Sequence, residues 1–184
     1  MCKTETHDAP RPRSTGVVLV PASHTDADAL ATVFASNVDY FRAAGDVEDD
    51  AESVPSTVAH EYLDEELHRR GGRCLLVLDR RREVVGTVAM LVPHPREPCP
   101  WIGLLLIDGS RHGEGLGTAT AHAVEHLLAD EGWTEVRIGV LASNPSALAF
   151  WTRRGYAAYD HRDDDRGRRC TLLHRQLAHH PAAP

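Results

Sequence analysis

Arg111-His-Gly-Glu-Gly-Leu-Gly117, "RHGEGLG", stands between the apolar run "WIGLLLID" (101–108) and a segment of helical period. Three glycines in five residues, Gly113, Gly115 and Gly117, are costly, because each loses more backbone entropy on folding than any other residue type. A strand, a glycine-rich turn and a helix in that order make a place for an anion. Backbone N–H groups at the helix start point outward, and the helix dipole favours negative charge there. With no side chains in the way, phosphate oxygens can approach the main chain itself. The loop alone does not decide the matter, since tight turns and helix starts also use glycine. It is not a dinucleotide fingerprint, as no early βαβ unit surrounds it. Nor does a Gly-Lys-Ser/Thr close it, as in a P-loop.

Outward from the loop, the period of apolar residues gives the other elements. Upstream, "TGVVLVPA" (15–22) reads as a first strand. Residues 24–41 read as one helix with Leu30, Val33, Phe34, Val38 and Phe41 inward and a Thr25/Asp28 capping box. After an acidic loop (45–56), a second helix runs over 57–70 with Val58, Tyr62, Leu63 and Leu67 inward, stopped by Gly71-Gly72. "RCLLVLD" (73–79) and "EVVGTVAMLV" (83–92) flank a polar turn as a hairpin. "PHPREPCP" (93–100) breaks the pattern before the central strand 101–108. Downstream, Leu116, Ala119, Ala123, Val124, Leu127 and Leu128 draw a helical stripe closed by Gly132. "TEVRIGVL" (134–141) alternates as a strand, and "NPSALAFWTRRGY" (144–156) is a short helix with proline early. Two last strands, near 156–161 and 169–176, flank "DDDRG". The order is β-α-α-β-β-β-α-β-α-β-β.

The chain has 184 residues, 42% apolar and 26% charged, which fits one soluble domain. Residues 1–14 and 178–184 read as flexible tails around a single domain, 15–177. No apolar stretch approaches the roughly 20 residues that span a bilayer, and the N-terminus carries no secretory signal. Cys2, Cys74, Cys99 and Cys170 form no CxxC pair, which points to reduced thiols in a cytoplasm. No metal is expected, because the twelve histidines are scattered outside any ligand motif. A net charge of −7 argues against nucleic acid as a partner. Between Asp39 and Glu66 ten acids face one base, Arg42, so that segment is −9 and the remainder +2. It is either a solvated surface or an acidic wall beside a cationic substrate.

A second motif settles the reading of the glycine loop. Asn144, Ala147, Phe150, Trp151, Gly155 and Tyr156 follow the strand 134–141. With His112-Gly-Glu-Gly115-Leu-Gly117 upstream, the chain over 15–177 resembles the GNAT superfamily of N-acetyltransferases. The family pattern Q/R-x-x-G-x-G/A maps onto His112, Gly115 and Gly117. Its downstream N-x-x-A-x-x-F-Y-x-x-x-G-F maps onto the second set. The resemblance implies an α/β (α+β) fold: a mostly antiparallel sheet of about seven strands, flanked by about four helices and splayed between strands four and five. It implies acetyl-CoA as acyl donor, with the pyrophosphate on the loop amides and the pantetheine arm between those two strands. It assigns to the donor Leu105, Leu106 and Ile107, then His112, Gly113, Glu114, Gly115, Leu116, Gly117 and Thr118, then Asn144, Ala147, Phe150 and Trp151. Phe150 is read chiefly as packing helix on sheet, and Trp151 as also lining the donor tunnel.

The chain departs from the family at several positions. His112 replaces Gln or Arg, and Glu114 stands where a base is common, so backbone amides must dominate at the loop. Trp151 replaces the tyrosine that many members use to protonate the leaving thiolate; a thiol of pKa about 8.5 leaves tolerably with water as proton source. Where some members carry a glutamate early on strand four, this chain has Trp101, which would shape a pocket. His94 and Glu97 remain weak candidates for the base that an amine needs. The first helices usually border the acceptor, which places Tyr40 and Phe41 with Trp101 at that site. The expected reaction moves an acetyl group to a primary amine of a small cationic molecule. Alternatives are a protein lysine or N-terminal acetyltransferase, and a non-catalytic acetyl-CoA-binding module. No membrane partner is expected, and a homodimer is left open.

Overall fold

Seven strands make one sheet in the computed structural model, which describes residues 16–64 and 70–178. They are β1 (Val18–Pro21), β2 (Gly72–Leu78), β3 (Val84–Leu91), β4 (Trp101–Ile107), β5 (Glu135–Leu141), β6 (Ala157–Asp163) and β7 (Arg169–Gln176). Their spatial order is β1-β2-β3-β4-β5-β7-β6, antiparallel throughout except for the parallel pair β4 and β5. Helices α1 (Ala27–Ala35), α2 (Val38–Ala43) and α3 (Ser56–Tyr62) cover one face. Helices α4 (Leu116–Asp130) and α5 (Pro145–Arg153) cover the other. Alternation divides the strands between two cores: on β4, Leu104 and Leu106 join the first, while Ile102 and Ile107 join the second. Both tail segments lie outside the described residues, save position 178.

Two details of the sheet create the site. Parallel pairing of β4 with β5 is confined to Trp101↔Arg137 and Ile102↔Ile138, after which the strands part. On its other side β4 carries a bulge: Ile102 pairs with Met90 and Leu104 with Ala89, so Gly103 is the extra residue. The splay that the resemblance implies is therefore present, and it begins at a bulge.

Four expectations need correction. The single helix over 24–41 is two, α1 and α2. Ser36 Oγ and Asn37 Nδ2 both donate to the Val33 carbonyl, at 2.7 and 2.8 Å, and so compete with the backbone bond that would continue the helix. Asn37 Nδ2 also reaches Ile107 O at 3.0 Å, tying the break to the end of β4. The cap is Ser23 with Asp26, whose carboxylate accepts from Ser23 N at 2.8 Å, two residues before the expected Thr25/Asp28 box. Helix α3 ends at Tyr62; positions 65–69, with Leu67 among them, lie outside the described residues. On α4 the buried face is Leu116, Thr120, Ala121, Val124, Glu125 and Leu128, rotated from the apolar stripe because a buried ion pair takes up Glu125. Among the described residues, no helix is long and apolar enough to cross a membrane.

Candidate active site

Where β4 and β5 part, a cleft of about 610 Å³ opens. It is lined by Gly103 to Ile107 of β4, Ile138 to Leu141 of β5, the glycine loop, Asn144 and one side of α5. Leu105, Leu106, Ile107, His112, Gly113, Gly115, Leu116, Gly117, Thr118, Asn144, Ala147, Phe150 and Trp151 all line it. Glu114 does not; its carboxylate turns away to accept from Arg111 Nε at 2.9 and 3.0 Å. Arg111 lines the cleft, yet Glu114 and, at 3.6 Å, Asp79 offset its charge. Arg153 adds a second cation to the lining.

The start of α4 is built to hold something. Its first intrahelical bond runs from Ala119 N to Gly115 O at 3.0 Å, leaving the N–H groups of Leu116, Gly117 and Thr118 without a helical carbonyl. The residue at the N-cap is Gly115, which offers no side-chain oxygen to them. Gly113 and Gly115 have φ of +85° and +80°, angles that L side chains adopt only with strain. Gly117 serves differently: a Cβ there would lie 3.7 Å from Phe150 and 3.8 Å from Ile107, so the helix start sits close on β4 and α5. A row of amides aimed into a cleft, with no carboxylate among the described lining residues, fits a pyrophosphate.

On the opposite wall, Asn144 caps α5, its Oδ1 accepting from Ala147 N at 3.0 Å and Ser146 Oγ at 2.8 Å. That leaves its Nδ2 as the group for a ligand. Trp151 is buried, edge-on to Phe150 (5.0 Å) and Tyr156 (4.8 Å). Phe150 is half-buried and lines the cleft while packing against Gly117, so packing and lining are one role. Tyr156 cannot replace the missing acid. Burial and the neighbouring Glu125 carboxylate, 3.3 Å from its hydroxyl, push its pKa far up.

At the acceptor end the structure separates residues that the sequence grouped. Tyr40 lines the cleft from α2, and burial followed by the charge of Asp46 pushes its pKa up to about 12. Phe41 is fully buried against Phe34 at 4.8 Å, so it is a core residue and not a substrate contact. Trp101 lies outside the lining and packs with Cys99, Cys170 and Leu172, beneath Arg162 (5.5 Å) and beside His94 (5.0 Å). His94 and Glu97 also lie outside the lining. Burial alone would raise the Glu97 carboxyl, but hydrogen bonds from Arg162 and Arg137 overcome it and hold the pKa below the usual range. Glu97 is a clamped anion and a poor base. Burial lowers His94, whose Nδ1 accepts from Arg96 N at 3.2 Å. The acidic segment is not a uniform wall either, because Arg166 and Arg168 reach Asp46 from the β6–β7 turn.

The acetyltransferase (GNAT) family model matches residues 36–156, from the Ser36–Asn37 break to the end of the second motif. The chain belongs to this family. It is thus an acyl-CoA-dependent acetyltransferase. No curated protein matches it. An acetyltransferase from Thermus thermophilus is 25% identical, with a TM-score of 0.71 over 88% of this chain and 97% of that one. A spermidine N-acetyltransferase from Vibrio cholerae, solved with CoA and spermine, is 13% identical, with a TM-score of 0.65 over 89% and 96%. An acetyl transferase from Salmonella typhimurium that modifies the N-terminal serine of 50S ribosomal subunit protein L7/L12 is 16% identical, with a TM-score of 0.72 over 91% and 98%. The last two show a shared fold.

Gly103, Gly139 and Arg153 line the cleft and escaped the sequence reading. Asn37, the first residue of the 37–41 stretch that the resemblance set beside the acceptor, lines it as well, and its place in an apolar helical stripe already favoured a cap or turn over a helix interior.

Proposed function

We propose that this acetyltransferase moves the acetyl group of acetyl-CoA to a primary amine of a small cationic molecule. One observation carries the reading: the cleft between β4 and β5 ends on the uncapped amides of α4. Gly113 to Thr118 hold the pyrophosphate by main-chain N–H groups. Main-chain groups of Leu105 and Ile107, past the last β4–β5 pair, bond the pantetheine arm, with Asn144 Nδ2 opposite. When bound, acetyl-CoA supplies a thioester carbonyl open to an amine. A β4 amide beside the Gly103 bulge steadies the charge that develops on the carbonyl oxygen. Trp151 walls the thiol end without donating a proton, and water protonates the departing thiolate. Tyr40 borders the acceptor, and Trp101 shapes its surroundings from behind Gly139. Glu48, Asp49, Asp50 and Glu52 are exposed beyond α2 and attract a cation. The spermine held by the Vibrio cholerae relative agrees with a substrate of that class. Cys74, Cys99 and Cys170 are buried free thiols, in keeping with a cytoplasmic setting.

Acetyl-CoA at ~100 times its dissociation constant stabilises the fold by about 2.7 kcal/mol. For a domain of this size the melting temperature rises by about 5–10 °C. Absence of a shift at millimolar acetyl-CoA, or of thiol release with every amine of a panel including polyamines, refutes the reading.

Asn144 separates capping from binding. Asn144→Ala loses the cap and costs about 1 kcal/mol of stability. Asn144→Asp keeps a cap of equal quality but removes the Nδ2 donor and adds an anion beside an anionic ligand. Its melting temperature stays near the parent's while calorimetry shows acetyl-CoA bound about tenfold more weakly, the scale of one lost hydrogen bond. Parental affinity in Asn144→Asp would leave Asn144 as a cap alone.

A further inference from the structure

Asn37 has a partner for every polar atom but one. Its N–H donates to Phe34 O at 2.9 Å, and its carbonyl accepts from Tyr40 N at 3.0 Å and Phe41 N at 3.4 Å. Its Nδ2 donates to Val33 O at 2.8 Å and Ile107 O at 3.0 Å, with Ser36 Oγ at 3.1 Å. A terminal atom that meets two carbonyls must be the nitrogen, so these partners fix which way the amide is turned. Its oxygen, Oδ1, is left with no partner among the described residues. Yet Asn37 is only 9% exposed, and it lines the cleft. Oδ1 is not sealed off, because the fully enclosed unpartnered side-chain atoms among the described residues are Trp101 Nε1, Thr120 Oγ1 and Arg154 Nε. A buried amide oxygen, unpaired within the protein but open to a cleft, is a seat for a hydrogen-bond donor that a ligand brings. The seat is rigid. Gly109 N donates to Ser36 Oγ at 3.0 Å, and a Cβ on Gly109 would stand 2.3 Å from Ser36 O, so the segment after β4 is pressed against the α1–α2 break.

The place of this oxygen selects what it meets. Ile107 O accepts from Asn37 Nδ2 and, at 2.9 Å, from His112 Nε2, which uses both of its lone pairs. Ile107 can therefore offer a ligand its main-chain N–H alone, and Asn37 Oδ1 stands in for the occupied carbonyl. Ile107 lies four residues past Gly103, about 13 Å along an extended strand. An acyl carbon beside the Gly103 bulge is that far away, so the attacking amine is not the partner. Toward the other end, His112 opens the loop read as the pyrophosphate seat. What passes between these two points is the arm of the acyl donor, which carries two amides in series.

We propose that Asn37 grips the acyl donor through Oδ1, which accepts the N–H of the arm's amide nearer the pyrophosphate. The proposal rests on the reading of the cleft as the acyl-donor site. Asn37 and Asn144 then hold the arm from the β4 side and the β5 side with opposite polarity. Asn144 Nδ2 donates to a carbonyl, and Asn37 Oδ1 accepts an N–H. Because Asn37 is also the residue that opens α2, the same bond ties the bound donor to the helix that brings Tyr40 to the cleft.

The experiment pairs two ligands with three proteins. CoA, and an analogue with an ester oxygen in place of that N–H, are titrated by calorimetry into the parent, Asn37→Ala and Asn37→Ser. Serine keeps a donor for the Val33 carbonyl four residues back, so it preserves the break between the helices should alanine fail to fold. In the parent, CoA is expected to bind about tenfold more tightly than the analogue, the scale of one hydrogen bond. In the variants CoA falls about tenfold, to the analogue's affinity, and the preference vanishes. A residue that merely braces the loop would weaken both ligands alike, so a tenfold preference retained in Asn37→Ser overturns the proposal. A parent that binds the two ligands equally overturns it too, as does an Asn37→Ser that binds CoA with parental affinity. A parent that gives no titration signal with CoA refutes the donor site itself, a failure distinct from the other three.

Discussion

Between pH 7 and pH 9, kcat/KM for a primary alkyl amine rises about 100-fold, following the neutral fraction of the amine and not the titration of a protein group. An alkyl ammonium of pKa ~10.4 is neutral in about one molecule in 2,500 at pH 7. Each pH unit below that pKa then gives a factor of ~10 in reactive amine. The described lining of the cleft contains no aspartate, glutamate or lysine. Tyr40, pushed up to about 12, keeps its proton throughout this range. His112 turns Nε2 to Ile107 O at 2.9 Å, in the loop assigned to the donor. Glu97 is clamped by Arg137 and Arg162, and neither it nor His94 reaches the cleft lining. Stability holds through the lower part of this range and begins to fall near its top, because burial raises the Cys74, Cys99 and Cys170 thiols, whose contribution is lost as pH rises past their unfolded value of about 8.5. Burial lowers His94 and His122, so their contribution is present above the unfolded value near 6.5 and is lost only as pH falls. For Glu97, Glu135 and Asp164, burial is outweighed by hydrogen bonds that depress the carboxyls, and their contribution is likewise lost only in acid. Burial raises Tyr40, Tyr62 and Tyr156, whose contribution is intact until pH passes their unfolded value near 10. A plateau of kcat/KM below pH 8, with the amine still charged, would show that the protein supplies a base.

What could be read from the sequence was what neighbours in the chain decide. The alternation of Val136, Ile138 and Val140 marked β5, and all three are buried. The glycine loop and the Asn144 helix start were legible because both are local devices at helix N-termini. The break between α1 and α2 was not, because part of its cause, the bond from Asn37 to Ile107 O, spans 70 residues. Phe41 and Tyr40 are adjacent and both aromatic, yet one is core and the other lines the cleft. Helix rotation sets that difference, and composition carries no trace of it. Trp101 stands where the resemblance put a pocket residue, but a neighbour in space, Gly139, separates it from the cleft.

The largest loss of stability from one substitution is expected at Glu125, a residue that the apolar pattern of α4 hides. Its side chain is 8% exposed and faces that of Arg154, 6% exposed, with Nη2 at 3.0 and 3.1 Å from the carboxylate oxygens. Arg175 approaches the same carboxylate at 3.6 Å, His122 at 3.6 Å and the Tyr156 hydroxyl at 3.3 Å. Arg154 also donates to Thr118 O at 3.2 Å, on the first turn of α4, so this cluster ties α5 to the helix start proposed to hold the donor's pyrophosphate. Glu125→Ala leaves two guanidinium groups together without their anion, and Arg154 Nε already has no partner. Breaking a buried pair from one side costs about 3–5 kcal/mol, a fall in melting temperature on the order of 10 °C. Arg154→Ala is milder, because Arg175 and Tyr156 still answer the carboxylate. Replacing both partners by leucine is milder still, since an apolar pair of similar volume removes the desolvation cost along with the attraction. Urea unfolding of the three variants checks the order. Equal losses in the two single variants would mean that Arg175 contributes nothing to Glu125. A double variant as damaged as Glu125→Ala would mean that the cluster is needed for its hydrogen bonds to the α4 backbone more than for its charge. In that case acetyl-CoA affinity falls in the double variant as well, because the amides of Leu116 to Thr118 are then no longer held in place.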